Sequence, residues 1–166
     1  HIAGDYPEWL DPQFTAVFGE TRVDEAIAMA SRAPLDLRVN TLKASQDKVL
    51  ASMKHLGARA TPWSPWGLRI DLGADARNPG IHSEEAFIKG GVEVQDEGSQ
   101  LAALLTGAKP GQQVIDICAG AGGKTLALAA MMQGKGRLIA TDHDKRQLAP
   151  IHERLSRAGI HNADVR

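Results

Sequence analysis

The sequence predicts an α/β protein in which a small N-terminal α/β module is followed by an open parallel sheet with helical crossovers. Three observations lead to this fold class. After residue 97, helical and strand patterns alternate strictly, as in parallel strands joined by helices. Before residue 73, two helical segments lead into strands with period-2 alternation. Between them, residues 73–91 carry turn signals, Asn78-Pro79-Gly80 and Gly90-Gly91, so we predict domains at 1–90 and 91–166.

Hydrophobic spacing and helix-ending residues predict three helices and three strands in the first domain. The helices are predicted over 7–18, 22–32 and 46–56, and the strands over 35–42, 68–72 and 92–95. The strand over 35–42 has largely the alternation of a half-buried strand, which places Asp36, Arg38 and Asn40 on its polar face. Ser45 is predicted to cap the third helix, and Gly57 to end it.

The second domain is predicted to alternate between the two kinds of element. Helices are expected over 99–105, 124–132 and 145–158, and strands over 113–117 and 137–141. Pro150 should cost the last of these helices a hydrogen bond or kink it. Residues 162–166 read as the start of another strand, and the chain begins with His1 rather than methionine, so we expect both ends to be truncated.

Composition limits the classes of protein to consider. The chain has 166 residues, of which 43% are hydrophobic and 23% charged, as in ordinary globular proteins. The net charge of −1 gives no basic excess of the kind that indicates nucleic-acid binding by itself. We expect no membrane span and no signal peptide, hence a cytoplasmic protein. Cys118 is the single cysteine, so we expect no disulfide and no metal site. The sequence leaves the oligomeric state open.

Residues 114–125 are predicted to run from a buried apolar strand through a glycine loop into a helix. Such a loop turns sharply and lets a ligand approach the backbone, while the helix N-terminus favours a carboxylate or phosphate. A phosphate-binding P-loop would need glycine where Cys118 stands, and a dinucleotide fingerprint would need glycine at Thr125. The Asp-x-x-x-Gly-x-Gly spacing of Asp116, Gly120 and Gly122 instead fits the first motif of class I methyltransferases.

Asp142 is the second indication of a cofactor site. It ends the apolar strand predicted over 137–141 and lies 20 residues after Gly122. In nucleoside-binding α/β folds, an acidic residue at this place accepts hydrogen bonds from ribose hydroxyls, because the two strand ends are neighbours. The alternative is that Asp142 caps the helix beginning near Lys145.

Several segments together resemble the NOL1/NOP2/Sun (Fmu, RsmB-like) family of RNA cytosine-5 methyltransferases. They are Val94-Gln95-Asp96-Glu97-Gly98-Ser99-Gln100, residues 116–125, residues 140–142, Tyr6-Pro7-Glu8-Trp9-Leu10 and residues 37–43. The usual loop of that family reads Cys-Ala-Ala-Pro-Gly-Gly-Lys, whereas this chain has Gly120-Ala121 in place of Ala-Pro. The departure bears on the rigidity of the loop and not on the class of cofactor. The resemblance implies the first half of a Rossmann-like class I methyltransferase sheet behind the N-terminal module.

The resemblance also implies a set of residues that bind S-adenosyl-L-methionine. The loop residues that would wrap its methionine part are Cys118, Ala119, Gly120, Ala121, Gly122, Gly123 and Lys124, and Asp142 would hold its ribose. Lys124 would offer charge to the cofactor carboxylate, or would be an ordinary solvated lysine. Gln95, Asp96 and Ser99 would line the wall of the site, or would form a capped helix start.

The implied reaction is methylation of cytosine C5 in RNA, in particular ribosomal RNA. Family members first add a cysteine thiolate to C6, because C5 is not nucleophilic enough unaided. The resemblance places those cysteines beyond this chain, so we expect no catalytic residue here and no activity of the chain alone. Cys118 is interpreted as a small packing residue.

The N-terminal module resembles the RNA-binding extension of the family. Arg38, Asn40 and Lys43 would contact the RNA backbone, or would be the solvated face of a strand. Two alternatives to the whole interpretation stay open. One is a non-catalytic RNA- or partner-binding module with a vestigial cofactor loop, and the other is a methyltransferase that acts on a different acceptor.

Overall fold

The computed structural model describes residues 1–73 and 77–166, so residues 74–76, within the predicted turn-rich stretch 73–91, lie outside the described residues. The chain divides into two compact units, His1–Ala33 and Pro34–Arg166. Strand pairing crosses the predicted domain division, because Val92–Val94 joins the sheet formed by the preceding residues. The division after residue 90 stays a prediction.

The first unit contains the two predicted helices, α1 (Asp11–Phe18) and α2 (Arg22–Ala30). Short 3-10 turns at Glu8–Leu10 and Gly19–Thr21 precede each of them. The ring of Phe14 lies 4.6 Å from that of Tyr6, whose hydroxyl donates to Asp11 Oδ1 at 2.7 Å. An aromatic contact and a hydrogen bond therefore fasten the N-terminal segment to α1.

The second unit begins with a four-stranded antiparallel sheet. Its strands are β1 (Leu35–Val39), β2 (Arg59–Ala60), β3 (Gly67–Ile70) and β4 (Val92–Val94), in the order β2-β3-β1-β4. Leu37 in β1 lies opposite Leu68 in β3 and Val94 in β4. The pairing confirms the three predicted strands. The sequence did not indicate β2, which has only two residues and no readable alternation.

Two helices belong to this sheet, α3 (Gln46–Ser52) and α4 (Glu85–Ile88). Helix α3 continues into a 3-10 turn over Lys54–Leu56 that ends at left-handed Gly57, as predicted. Ser45 occupies the N-cap position, but its side chain makes no cap hydrogen bond. The apolar face of the sheet and these helices bury one hydrophobic cluster, formed by Leu37, Val39, Val49, Met53, Leu68, Ile70, Ile81, Phe87 and Val92.

A three-stranded parallel sheet follows and confirms the predicted α/β alternation. Its strands are β5 (Gln113–Asp116), β6 (Arg137–Ala140) and β7 (Ala163–Val165), in that order. Its helices are α5 (Glu97–Leu104), α6 (Gly123–Met131), α7 (Lys145–Leu148) and α8 (Ile151–Ala158). The predicted helix over 145–158 is thus broken at Pro150, which cannot donate the backbone hydrogen bond. Among the described residues, no helix combines the length and apolar character needed to cross a bilayer.

Burial in β1 and β5 differs from the prediction. Strand β1 was expected to be half-buried, yet its polar residues Asp36 and Arg38 are buried as completely as its leucines. Strand β5 was expected to be buried and apolar, yet Ile115 is 56% exposed and Ile117, just after it, 71%. Alternation of polar and apolar residues indicates which side chains share a face of a strand. It does not indicate what covers each face.

Buried polar contacts fasten the start of α5 to the antiparallel sheet. The Asp36 carboxylate accepts two hydrogen bonds from Arg69, both at 2.7 Å, and one from the backbone N–H of Glu97 at 3.0 Å. Nε2 of Gln100 donates to Leu37 O and Gln95 O. Every one of these buried groups has a partner, so burial of this polar layer is tolerated.

Candidate cofactor site

The loop between β5 and α6 adopts a conformation that needs glycine. Gly120 and Gly122 have φ angles of 50° and 85°, in the left-handed region that other residues rarely adopt. A Cβ on Gly122 would also come within 2.5 Å of Ile151 in α8. Glycine is therefore required at position 122 both by backbone conformation and by close packing.

Hydrogen bonds fix the loop against the end of β6. The N–H of Ala119 donates to Thr141 O, and the N–H of Thr141 donates to Asp116 O, both at 2.9 Å. Within the loop, the N–H of Gly122 donates to Ala119 O at 2.8 Å. Asp116 itself accepts a hydrogen bond from the hydroxyl of Thr125 at 2.7 Å, which ties the strand to the first turn of α6.

The structure brings Asp142 to the loop, as predicted from the adjacent strand ends. Its Oδ2 accepts from the N–H of Gly120 at 2.8 Å, and its Oδ1 accepts from the N–H of Asp144 at 2.9 Å. The hydrogen bond from Asp144 and then that from Gly120 lower the pKa of Asp142. The alternative assignment of Asp142 as a helix cap is wrong, because Asp144 caps α7 by accepting from Arg146 N.

A cavity of about 320 Å³ opens beside the loop. Asp116, Cys118 and Lys124 contribute to its lining, together with side chains of α5 and β5. Cys118 is exposed, so its interpretation as a packing residue is wrong. It follows the end of β5 at Asp116, where the chain has left the sheet and turns toward α6. Lys124 is also exposed, and its role in the site stays a prediction.

The residues before α5 form a capped helix start, the second of the two possibilities considered. Asp96 is the N-cap, and its side chain accepts from the N–H of Ser99 at 3.3 Å. Gln95 is buried and directed to the interior, where its Oε1 accepts from Arg38 Nε at 2.6 Å. Its amide nitrogen lies beside Gly123, where a Cβ added to the glycine would be 3.4 Å from it.

Arg38 and Asn40 are buried, so they lie neither on an RNA-contacting surface nor on the solvated face of a strand. Arg38 reaches the start of α6, with its Nη2 3.5 Å from Gly123 O, and burial lowers its pKa to about 10. Asn40 Nδ2 donates to Gly90 O and to Ala158 O, both at 2.9 Å. Their predicted contact with the RNA backbone is therefore wrong, because both side chains are buried and hydrogen-bonded to interior groups. Lys43 is exposed and donates to two backbone carbonyls, Lys89 O and Arg157 O.

The sequence did not predict a cluster of three charged residues, Glu93, Arg154 and Arg157, of which Arg154 contacts the loop. Arg154 of α8 donates from Nη1 to Ala121 O at 2.8 Å, and from Nε and Nη2 to Glu93 Oε2. Arg157 donates to the other oxygen of Glu93 at 2.6 Å. In the sequence, Glu93 is one polar residue between two valines, and the arginines read as the polar face of a helix. Nothing in those patterns indicates that they meet.

Within residues 1–73 and 77–166, the side chains of His, Cys, Asp and Glu form no group of three or more that could hold a metal ion. The polar groups around the loop include backbone amides, the carboxylates of Asp116 and Asp142, and the Lys124 ammonium. Such groups suit an organic ligand with anionic and hydroxyl groups.

A parallel α/β sheet with this glycine loop and an acidic residue at the next strand end defines the Rossmann-like methyltransferase class. Two family models narrow the class further. The model described as 16S rRNA methyltransferase RsmB/F matches residues 103–166, and the one described as the RsmF/B-like ferredoxin-like domain matches residues 6–77. The chain belongs to this RsmB/F family of NOL1/NOP2/Sun methyltransferases.

Similar proteins cover nearly the whole chain. It is 36% identical to ribosomal RNA small subunit methyltransferase B of Pseudomonas putida over 92% of its length, and 34% identical to methyltransferase F of Cronobacter sakazakii over 95%. It spans 34% of the length of each of these relatives. A solved methyltransferase homologue from Pyrococcus horikoshii is 28% identical, with a TM-score of 0.85 over 99% of this chain and 53% of that one.

Proposed function

We propose that the loop over 118–124 and Asp142 bind S-adenosylmethionine, as the methyl-donor site of a ribosomal RNA methyltransferase. The observation that carries the proposal is the left-handed loop at Gly120 and Gly122, held by a carboxylate from the neighbouring strand. The glycines keep this stretch of backbone open to a ligand, because a Cβ on Gly120 would stand in free space beside it.

The groups around the loop fit the polar parts of that cofactor. The first N–H groups of α6 have no partner inside the helix, so they and Lys124 suit the methionine carboxylate. Each oxygen of Asp142 accepts one backbone N–H and keeps capacity for a ribose hydroxyl. The hydrogen bonds that lower the pKa of Asp142 favour its ionised form, the form that only accepts hydrogen bonds. When bound, the cofactor supplies an electrophilic methyl group, and the residues of this chain orient it.

We extend the proposal to C5 of a cytosine in ribosomal RNA as the methyl acceptor. The names of the relatives support ribosomal RNA, and the resemblance to cytosine-5 enzymes supports the position. That reaction requires a thiolate that attacks C6. Cys118 is the single cysteine and lies in the proposed cofactor loop, so we propose that the nucleophile is supplied from outside this chain.

Calorimetric titration with S-adenosylmethionine tests the donor site. We expect one site, and binding about tenfold or more weaker in Asp142→Ala, because the loop loses its carboxylate anchor. Asp144→Ala is the matched control, since its side chain caps α7 and does not touch the loop. Equal affinity in the two variants would contradict the role of Asp142. Absence of binding in the unmodified chain would favour the non-catalytic module with a vestigial loop.

A transfer assay with labelled S-adenosylmethionine tests the acceptor. The chain alone should leave ribosomal RNA free of 5-methylcytosine, and RNA binding should weaken as salt is added, because phosphate contacts release counterions. A burst of 5-methylcytosine would contradict the absence of the nucleophile. Label on protein or on a small molecule would point to another acceptor.

A further inference from the structure

Arg154 links the cofactor loop to the antiparallel sheet. Its Nη1 donates to Ala121 O at 2.8 Å, while its Nε and Nη2 donate to Glu93 Oε2 at 3.2 and 3.0 Å. Glu93 lies on β4 and is only 2% exposed. A buried carboxylate therefore sets the orientation of a guanidinium whose free end holds a loop carbonyl.

Apart from its hydrogen bond to Asp142, the part of the loop around Ala121 is held mainly by contacts with α8. A Cβ on Gly120 would find open space, so packing does not limit that residue. On the other side of Ala121, Gly122 rests on Ile151 of α8. Ile151 and Arg154 are three residues apart on α8 and thus share one helix face. Helix α8 supports the loop with an apolar contact at Gly122 and a charged hydrogen bond at Ala121.

We propose that Arg154, oriented by Glu93, is a positioning residue that orders residues 120–122 before the cofactor binds. This inference rests on the proposed function of the loop. The guanidinium is a rigid planar fork, so fixing two of its nitrogens on Glu93 fixes the direction of the third. A loop ordered in advance loses less conformational freedom on binding, which strengthens the affinity without any contact between Arg154 and the cofactor.

Arg157 offers a matched control on the same helix. It is three residues further along α8, its exposure is similar, and its Nη2 donates to the other oxygen of Glu93 at 2.6 Å. Its guanidinium lies 3.9 Å from the centre of the Phe87 ring rather than on the loop. Arg157→Gln therefore removes a comparable ion pair from Glu93 and leaves the hydrogen bond to Ala121 in place.

The experiment compares Arg154→Gln, Arg154→Lys and Arg157→Gln in three measurements. They are the urea midpoint of unfolding, the Kd for S-adenosylmethionine, and hydrogen exchange of the Gly120 and Gly122 amides without ligand. We expect both glutamine variants to lower the midpoint. Only Arg154→Gln should speed exchange at the two amides and weaken binding, by about tenfold to a hundredfold. Arg154→Lys should be intermediate, because an ammonium keeps the charge but not the fork.

Equal affinity and equal loop exchange in Arg154→Gln and Arg157→Gln would overturn the inference. If instead the proposed function is wrong, the unmodified chain will not bind S-adenosylmethionine, which is a different result. The exchange measurement needs no ligand, so it would still decide whether Arg154 orders the loop.

Discussion

Strand β1 is covered on both faces, whereas β5 leaves apolar side chains open to solvent. Leu37 and Arg38 are neighbours in β1 on opposite faces, and they are 0% and 1% exposed. Ile115 in β5 is 56% exposed. In its sheet, β1 lies between β3 and β4, while β5 pairs among the described residues with β6 alone. What packs against each face of a strand thus determines the burial of its side chains more than its composition does.

Arg38 in β1 and Asn40 just after it show how buried polar side chains are tolerated. Arg38 has Gln95 as its acceptor, and both donors and the acceptor of the Asn40 amide are used by backbone groups. Unpaired, such groups would each cost free energy on burial. Here they connect the antiparallel sheet to α6 and α8, the two helices that border the glycine loop.

The largest expected effect tests the difference in burial directly. Leu37→Ala should lower the free energy of unfolding by about 3 kcal/mol, because it leaves a cavity in the packed cluster beneath β1. Ile117→Ala, just after β5, should change it by less than about 0.5 kcal/mol, since most of that side chain is already in water. Urea unfolding of both variants measures the difference. Similar losses in the two would mean that the β5 side chains are covered in solution.

Asn40, just after β1, should be less sensitive to substitution than the apolar face of the strand. Asn40→Ala should cost about 2 kcal/mol, because it leaves Gly90 O and Ala158 O without their donor. Gln113→Ala, an exposed amide side chain in β5, is the control and should be close to neutral. The same denaturation experiment applies. A neutral Asn40→Ala would show that water replaces the amide and that this contact does not join the end of β1 to α8.

The smallest effect concerns pH. Hydrogen bonds from Asp144 and Gly120 lower the pKa of Asp142 in the folded state. Its stabilising contribution is therefore complete above the unfolded pKa, about 3.9, and is lost as pH falls through the lower folded pKa. An NMR pH titration should find the Gly120 amide unchanged down to that region, and Asp142→Asn should abolish the transition. A midpoint well above the ordinary aspartate range would contradict the hydrogen bonds to this carboxylate.

Local patterns in the sequence were sufficient to predict the glycine loop but not the residues that hold it from other elements. Gly120, Gly122 and Asp142 are predictable because their spacing follows directly from a strand, a turn and the next strand end. Glu93 and Arg154 meet across 61 residues of chain, and no periodicity encodes such a pairing. The prediction for Arg38 was wrong for the same reason, since its hydrogen-bond partners, Gln95 and Gly123, are distant in the sequence. A polar strand face looks solvated until the elements that cover it are known.

An amide NMR titration tests most directly whether the loop after β5 binds S-adenosylmethionine, as we propose. We expect the cofactor to shift the amides of Ala119, Gly120, Lys124 and Asp142, and to leave those of β2 unmoved. Two results would contradict binding at this loop. One is binding with chemical-shift changes confined to the antiparallel sheet, and the other is no change at cofactor concentrations that saturate an ordinary methyltransferase.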